Sequence, residues 1–137
     1  MNTTKSPVIL ICVFDHTVCR QLIRAGQKLA EETHLPLEVV SVQPQGLVSR
    51  KVADEVQTLH NISSGMGLTM TVLFNEQPPL TVAVHAKQQQ AAYLICDLSG
   101  AQGTMFLQTL RDLIPETAVV ALGADGQFMT FPATVSV

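Results

Sequence analysis

Apolar positions follow two alternating rhythms along this chain. Val8 to Phe14 (VILICVF) is an unbroken apolar run, the pattern of a strand covered on both faces of a parallel sheet. From Cys19 the period changes. Cys19, Leu22, Ile23, Gly26, Leu29 and Ala30 then fall on one helical face, with Arg20, Arg24, Gln27 and Lys28 opposite. Asp15, His16 and Thr17 lie between the two, just past the strand's carboxyl end, where open α/β sheets bind ligands.

The same alternation continues. His34 and Leu35-Pro36 break the first helix, because Pro disfavours helical backbone in the residue before it. Leu37 to Val42 then reads as a second strand, and Gln43 to Gly46 as a loop. Val48, Val52, Val56 and Leu59 recur at helical spacing until Ser63-Ser64-Gly65. Leu68 to Phe74 is a third strand whose Thr69 and Thr71 suggest a place near an edge. A third helix opens at Pro79 or Leu80 and closes in the polar stretch Lys87 to Gln90. Ala92 to Cys96 is the fourth strand, and Asp97 to Gly103 a loop in which Thr104 can cap a fourth helix that stops near Pro115. Thr117 to Leu122 is the fifth strand. The Asp-Gly pair within Gly123 to Gly126 marks a hairpin that returns through Gln127 to Phe131 as an antiparallel edge strand, ended by Pro132. Strict alternation of strand and helix predicts right-handed crossovers and an α/β three-layer sandwich on five parallel strands.

Composition narrows this picture. A chain of 137 residues is one domain's worth (1–137, with a core over 7–123 and a tail over 124–137), and 47% hydrophobic against 14% charged residues fits a well-buried core. A net charge of -3 gives no general attraction to nucleic acid or anionic membrane. No apolar run approaches the roughly 18 residues of a membrane span, and the N-terminus lacks the layout of a secretory signal. Three cysteines, with Cys12 and Cys96 in expected buried strands, suit a reducing cytosol better than a disulfide framework. The expected location is therefore cytoplasmic.

Particular stretches carry a resemblance. Ile9-Leu10-Ile11-Cys12-Val13, then Leu22-Ile23-Arg24-Ala25-Gly26 and Leu29-Ala30, then Leu37-Glu38-Val39-Val40, resemble the universal stress protein family. They are most similar to the version embedded in potassium-responsive sensor histidine kinases, so the chain reads as a stand-alone relative or a fragment of such a membrane-bound kinase. The stretch PLTVAVHAKQQQAAYLIC is similar to that family's third helix and fourth strand. The resemblance spans roughly residues 7 to 123 in order of elements, with specific text in the first third. It implies a sheet in the order 3-2-1-4-5, a ligand crevice between strands one and four, and a homodimer paired through strand five. Val119, Val120 and Ala121, with Phe128, Met129 and Phe131 of the tail, are the candidate interface. A bare apolar edge would be an association hazard. The tail can equally fold over its own sheet and block that dimer.

In ATP-binding members of that family, an Asp after strand one and a Gly-x2-Gly-x9-Gly-[Ser/Thr] loop after strand four hold the nucleotide. Glycines there let backbone N–H groups close on phosphate. This chain departs at each point. Phe14 stands where the Asp is expected and Asp15 follows one residue late. Asp97 replaces the first Gly, Gly100 matches the second, and Leu110-Arg111 replaces the closing pair. Sliding the register to Gly100 and Gly103 puts Leu113-Ile114 at the close. A carboxylate about 4 Å from a phosphate oxygen costs about 4 kcal/mol at an effective dielectric of 20. No Lys or Arg lies at 14–18 or 97–103 to offset it. ATP binding in the family's manner is therefore disfavoured.

Other chemistry has plain structural alternatives. Asp15 or Thr17 can cap the first helix as well as meet a ligand, and Ser99, Gly100, Gly103 and Thr104 can cradle an anion or simply make a strand-to-helix turn. Cys12 and Cys96 fall on strands expected to be neighbours, where buried thiols act as small hydrophobes. His16, His34, His60 and His85 are dispersed, without metal-ligand spacing. A phosphoacceptor receiver shares the alternation, but strand three ends Phe74-Asn75-Glu76 and strand five Leu122-Gly123, without the required Asp and Lys. No nucleophile is set beside a His by a recognisable motif.

The expectation is a non-catalytic sensory or regulatory module with a degenerate nucleotide site and no metal or bound cofactor. The alternative is an adenine-nucleotide or cyclic-dinucleotide binder (ATP, AMP or cyclic di-AMP). The candidate ligand residues are Phe14, Asp15, His16, Thr17, Val40, Asp97, Ser99, Gly100, Gly103 and Thr104.

Overall fold

The computed structural model describes residues 7–45, 49–100 and 103–134. Ten elements alternate along the chain: β1 (Val8–Cys12), α1 (Cys19–Thr33), β2 (Leu37–Gln43), α2 (Arg50–Gly65), β3 (Met70–Phe74), α3 (Pro78–Gln88), β4 (Ala91–Asp97), α4 (Gly103–Leu113), β5 (Ala118–Leu122) and β6 (Phe128–Phe131). The sheet order is β3-β2-β1-β4-β5-β6, parallel throughout except for the antiparallel β6. The expected order and the returning edge strand are both present, and β3 is indeed an edge.

The period-2 geometry of β1 builds two cores from one strand. Ile9, Ile11 and Val13 face α1 and α2, packing with Leu22, Ile23, Leu59 and Ile62. Leu10 and Cys12 face the other way, with Val40 and Val42, against Val82, Ala83 and Ala86 of α3 and Phe106 and Leu110 of α4. Every residue from Ile9 to Val13 is at most 1% exposed. A strand buried on both faces needs the unbroken apolar run that the sequence supplies. No helix among the described residues is long and apolar enough to cross a membrane.

Element ends differ from the sequence expectation in instructive ways. α1 runs on to Thr33, and His34 closes it in the left-handed region (φ 60°), its N–H donating to the Ala30 carbonyl. Its N-cap is Val18, without a side-chain hydrogen bond, so neither Asp15 nor Thr17 caps it. The Asp15 carboxylate is taken by the Thr17 N–H instead (2.8 Å), which bends the loop before the helix begins. Thr104 is not a cap either: α4 already starts at Gly103, and Thr104 lies inside its first turn. α3 opens at Pro78, using two prolines where the missing N–H groups cost nothing. Val48 and Gly46 lie outside the described residues.

The tail folds onto its own sheet. Val119 pairs with Phe131 and Leu122 with Phe128 across the hairpin. The turn closes with the Gly123 N–H on the Gln127 carbonyl (2.9 Å), and Gly126 sits at φ 80°, a backbone that L side chains rarely adopt. Beyond β6, Arg111 Nη1 donates to the Pro132 carbonyl and the Thr134 N–H to the Pro115 carbonyl, both at 2.7 Å. This is the covering arrangement set beside strand-five dimerisation. The outer edge of β5 is already paired, Val119 and Ala121 are buried, and Val120 is half-buried. Phe128 and Met129 stay exposed, with Phe131 half-buried, on what is now the sheet's outermost strand.

Candidate functional site

The carboxyl ends of β1 and β4 diverge because α1 packs on one face of the sheet and α4 on the other. Between them lies a crevice of about 210 Å³. Cys12 lies at the end of β1, Leu22 belongs to α1 and Phe106 to α4; the β1–α1 loop adds Phe14, Asp15 and Val18, and the β4–α4 region adds Asp97, Gly100 and Gly103. Phe14 meets Phe106 edge-on, with ring centroids 5.6 Å apart and planes at 68°, a favourable aromatic geometry. The position that would carry an acid in an ATP site thus carries an apolar wall.

Three βα loops share one device, a carboxylate or amide that accepts the N–H two residues on. Asp15 takes Thr17 (2.8 Å), Asn75 takes Gln77 (2.8 Å), and Asp97 takes Ser99 (2.9 Å). Such side chains mimic a backbone turn. At Asp97 the bond is doubled, because the Ser99 hydroxyl donates to the same Oδ1 at 2.6 Å. Gly103 completes the rim: its N–H donates to the Gly100 carbonyl (3.0 Å), and a Cβ there would collide with the Leu98 carbonyl. Glycine is required at that close approach whether or not an anion is bound. Two carboxylates, Asp15 and Asp97, line the crevice, and no cation does.

Burial also sets the state of the thiols beneath it. Cys12 and Cys96 are 1% and 0% exposed, at adjoining positions of β1 and β4, and neither forms a disulfide. Burial pushes the Cys96 thiol up to about 12, with Asp97 adding to it. It raises Cys12 well above the ordinary thiol value, with Cys96 contributing. Cys19 is raised too, by burial first; Arg20 pulls against this, and Asp15 and Glu55 add to it. These are core-filling thiols.

On the other side of Phe14 a second, larger space of about 660 Å³ opens between the β1–α1 loop, the end of β2 and the first turns of α2. Gln43 ends β2 at 5% exposure; its amide Nε2 donates to the Phe14 carbonyl (3.0 Å) and to Ser41 Oγ (2.8 Å). His16 Nδ1 meets Glu55 Oε2 at 2.7 Å and ties the loop to α2. His85 Nε2 meets Glu38 Oε1 at 2.6 Å and ties α3 to β2.

The sequence-level candidates therefore divide. Phe14, Asp15, Asp97, Gly100 and Gly103 come together in the crevice, and His16 lies in the neighbouring cleft with Phe14. Val40 lines neither space: it is fully buried, and its carbonyl accepts the Val13 N–H at 2.9 Å. Ser99 is turned to Asp97, and Thr17 and Thr104 line neither space. Sequence reasoning missed Phe106, whose place in α4 depends on how that helix is set over the sheet. It also missed Gln43, Arg50 and Lys51. The polar end of an otherwise apolar second strand was the one signal that could have marked Gln43.

No protein-family model matches the sequence, and no curated protein is similar to it. Solved structures do share the fold. The universal stress protein from Archaeoglobus fulgidus superposes with a TM-score of 0.66 at 15% identity, over 84% of this chain and 92% of that one. The universal stress protein from the same organism in complex with dAMP gives 0.66 at 14% identity, over 86% and 98%. A universal stress protein in complex with cAMP gives 0.62 at 14% identity, over 88% and 98%. At these identities the likeness is one of architecture: the α/β layers and the crossover between strands one and four.

Proposed function

We propose that this chain is a non-catalytic regulatory module of the universal stress type, whose crevice between β1 and β4 does not grip a triphosphate. The observation that carries this reading is the crevice lining, in which Asp15 and Asp97 stand without a cation. At an effective dielectric of 20, each carboxylate about 4 Å from a phosphate oxygen opposes binding by about 4 kcal/mol. The crevice, at about 210 Å³, is also below the roughly 300–1,000 Å³ usual for small-molecule sites. Phe14 and Phe106 fill what a ligand would need.

A regulatory rather than catalytic role is supported by the side chains at hand. All three thiols are buried with raised pKa, and His16 and His85 are each engaged by a glutamate. Free buried thiols suit the cytoplasm. The likeness of the first forty residues to the kinase-embedded version supports a place in signalling. Self-association would run through β6, because the β5 edge is taken, and Phe128 and Met129 are 38% and 47% exposed there. Light scattering on the whole chain should then report a dimer that Met129→Lys dissociates; an unchanged mass would remove this part of the reading.

A thermal-shift panel tests the crevice. A ligand at 100 times its Kd stabilises by about 2.7 kcal/mol, several degrees for a domain of this size. The expected result is no shift with ATP. A clear ATP shift, lost in Gly100→Asp, would refute the proposal. The neighbours solved with dAMP and cAMP favour a second reading, an adenine monophosphate binder.

A further inference from the structure

The cleft beside α2 differs from the crevice in size, charge and wall chemistry. Arg50 and Lys51 open α2 and line this space, and neither makes an ion pair or hydrogen bond among the described residues. The first turn of α2 carries no acidic residue. Ser49 caps only the Val52 N–H (3.2 Å), so the positive end of the helix stays open beside the two side-chain cations.

A second, independent feature points into the same space. Gln43 is 5% exposed and lines the cleft, and both of its hydrogen bonds are made by Nε2. Its Oε1 accepts nothing from the chain, yet it is not among the sealed, unsatisfied atoms, so it faces the open space. Phe14 borders that space beside it, and its own carbonyl is fixed by Gln43. An aromatic ring, a fixed acceptor and two free cations make a surface for a flat, N–H-bearing ring joined to an anion.

The counter-charges set how much anion fits. Glu55 is engaged by His16 at 2.7 Å, and Asp54 remains in the cleft against Arg50 and Lys51. One net positive charge with a helix N-terminus suits a single phosphate, not three. We infer that this cleft binds an adenine-type nucleoside monophosphate, with the ring between Phe14 and Gln43 and the phosphate at Arg50 and Lys51. The phosphate would then point away from the β4–α4 loop. The inference deepens the second reading above and stands apart from the empty-crevice proposal.

Amide chemical-shift mapping of the whole chain with AMP, adenosine and inorganic phosphate tests it. With AMP, the Gln43 side-chain amide and the backbone amides of Arg50 and Lys51 should shift together. Adenosine and phosphate should each bind at least about tenfold more weakly. The double variant Arg50→Gln, Lys51→Gln should weaken AMP about tenfold or more, and it should remain folded because neither residue has a partner. Shifts confined to Ser99, Gly100, Gly103 and Thr104 would overturn both this inference and the proposed degenerate crevice. No shift with millimolar AMP would overturn this inference alone and leave the empty-crevice module standing.

Discussion

Two spaces share the wall made by Phe14, and they differ in almost every other respect. The crevice between β1 and β4 is small, acidic and closed by its own loop, with Asp97 held by Ser99 and Gly103 pressed against Leu98. The cleft beside α2 is about three times larger by volume, 660 against 210 Å³, and carries Arg50 and Lys51. The lesson is that a fold can keep its topological switch point while the charge needed for anion recognition stands one loop away.

The sharpest way to break this contrast is through the crevice floor. If Cys12 and Cys96 are as dry as their burial implies, the folded state keeps their protons while the unfolded chain loses them above the ordinary thiol value near 9. Stability from this source is intact below about pH 9 and falls as pH rises towards about 12 for Cys96. The loss is on the order of 4 kcal/mol across the window. Urea denaturation against pH should show the fall, and Cys96→Ala should flatten its slope. A slope unchanged in that variant would mean that water reaches the floor.

Gly103→Ala should come next, at about 3 kcal/mol destabilised, because the added Cβ meets backbone, which cannot swing aside. Urea midpoints would report it, whereas Arg50→Gln on the cleft side should stay within about 0.5 kcal/mol. Phe14→Ala removes the shared wall. We expect a loss of about 2 kcal/mol, less than for a fully buried ring, together with weaker AMP binding measured by calorimetry. Phe14→Leu should recover most of the stability but not the binding. The smallest effect should come from His16→Ala. Its pair with Glu55 is largely solvent-exposed and should contribute under about 1 kcal/mol, less at high salt.

The sheet and its order were legible because burial on two faces leaves a continuous apolar run, and helices betray themselves by period. Val8 to Val13, the Leu22–Ile23 face and the Asp125-Gly126 turn each speak for themselves. Cap geometry was less legible. Asp15 has the right chemistry for a helix cap, but a side chain that can bond at several nearby N–H groups is placed by the loop's path, which put it on Thr17. Val40 was wrongly expected at a surface for a related reason: alternation tells which face a strand residue takes, not how far the strand runs beneath its neighbours.

By itself, then, the sequence determined the α/β alternation, the buried central strand and the acid-for-glycine change at Asp97, since each is local in the chain. Tertiary structure alone decided that Phe14 meets Phe106, that β6 seals β5, and that Gln43 opens onto the same space as Arg50 and Lys51. Those juxtapositions join residues far apart in the chain, and they depend on how whole helices are set against the sheet. Periodicity within one element carries no record of that.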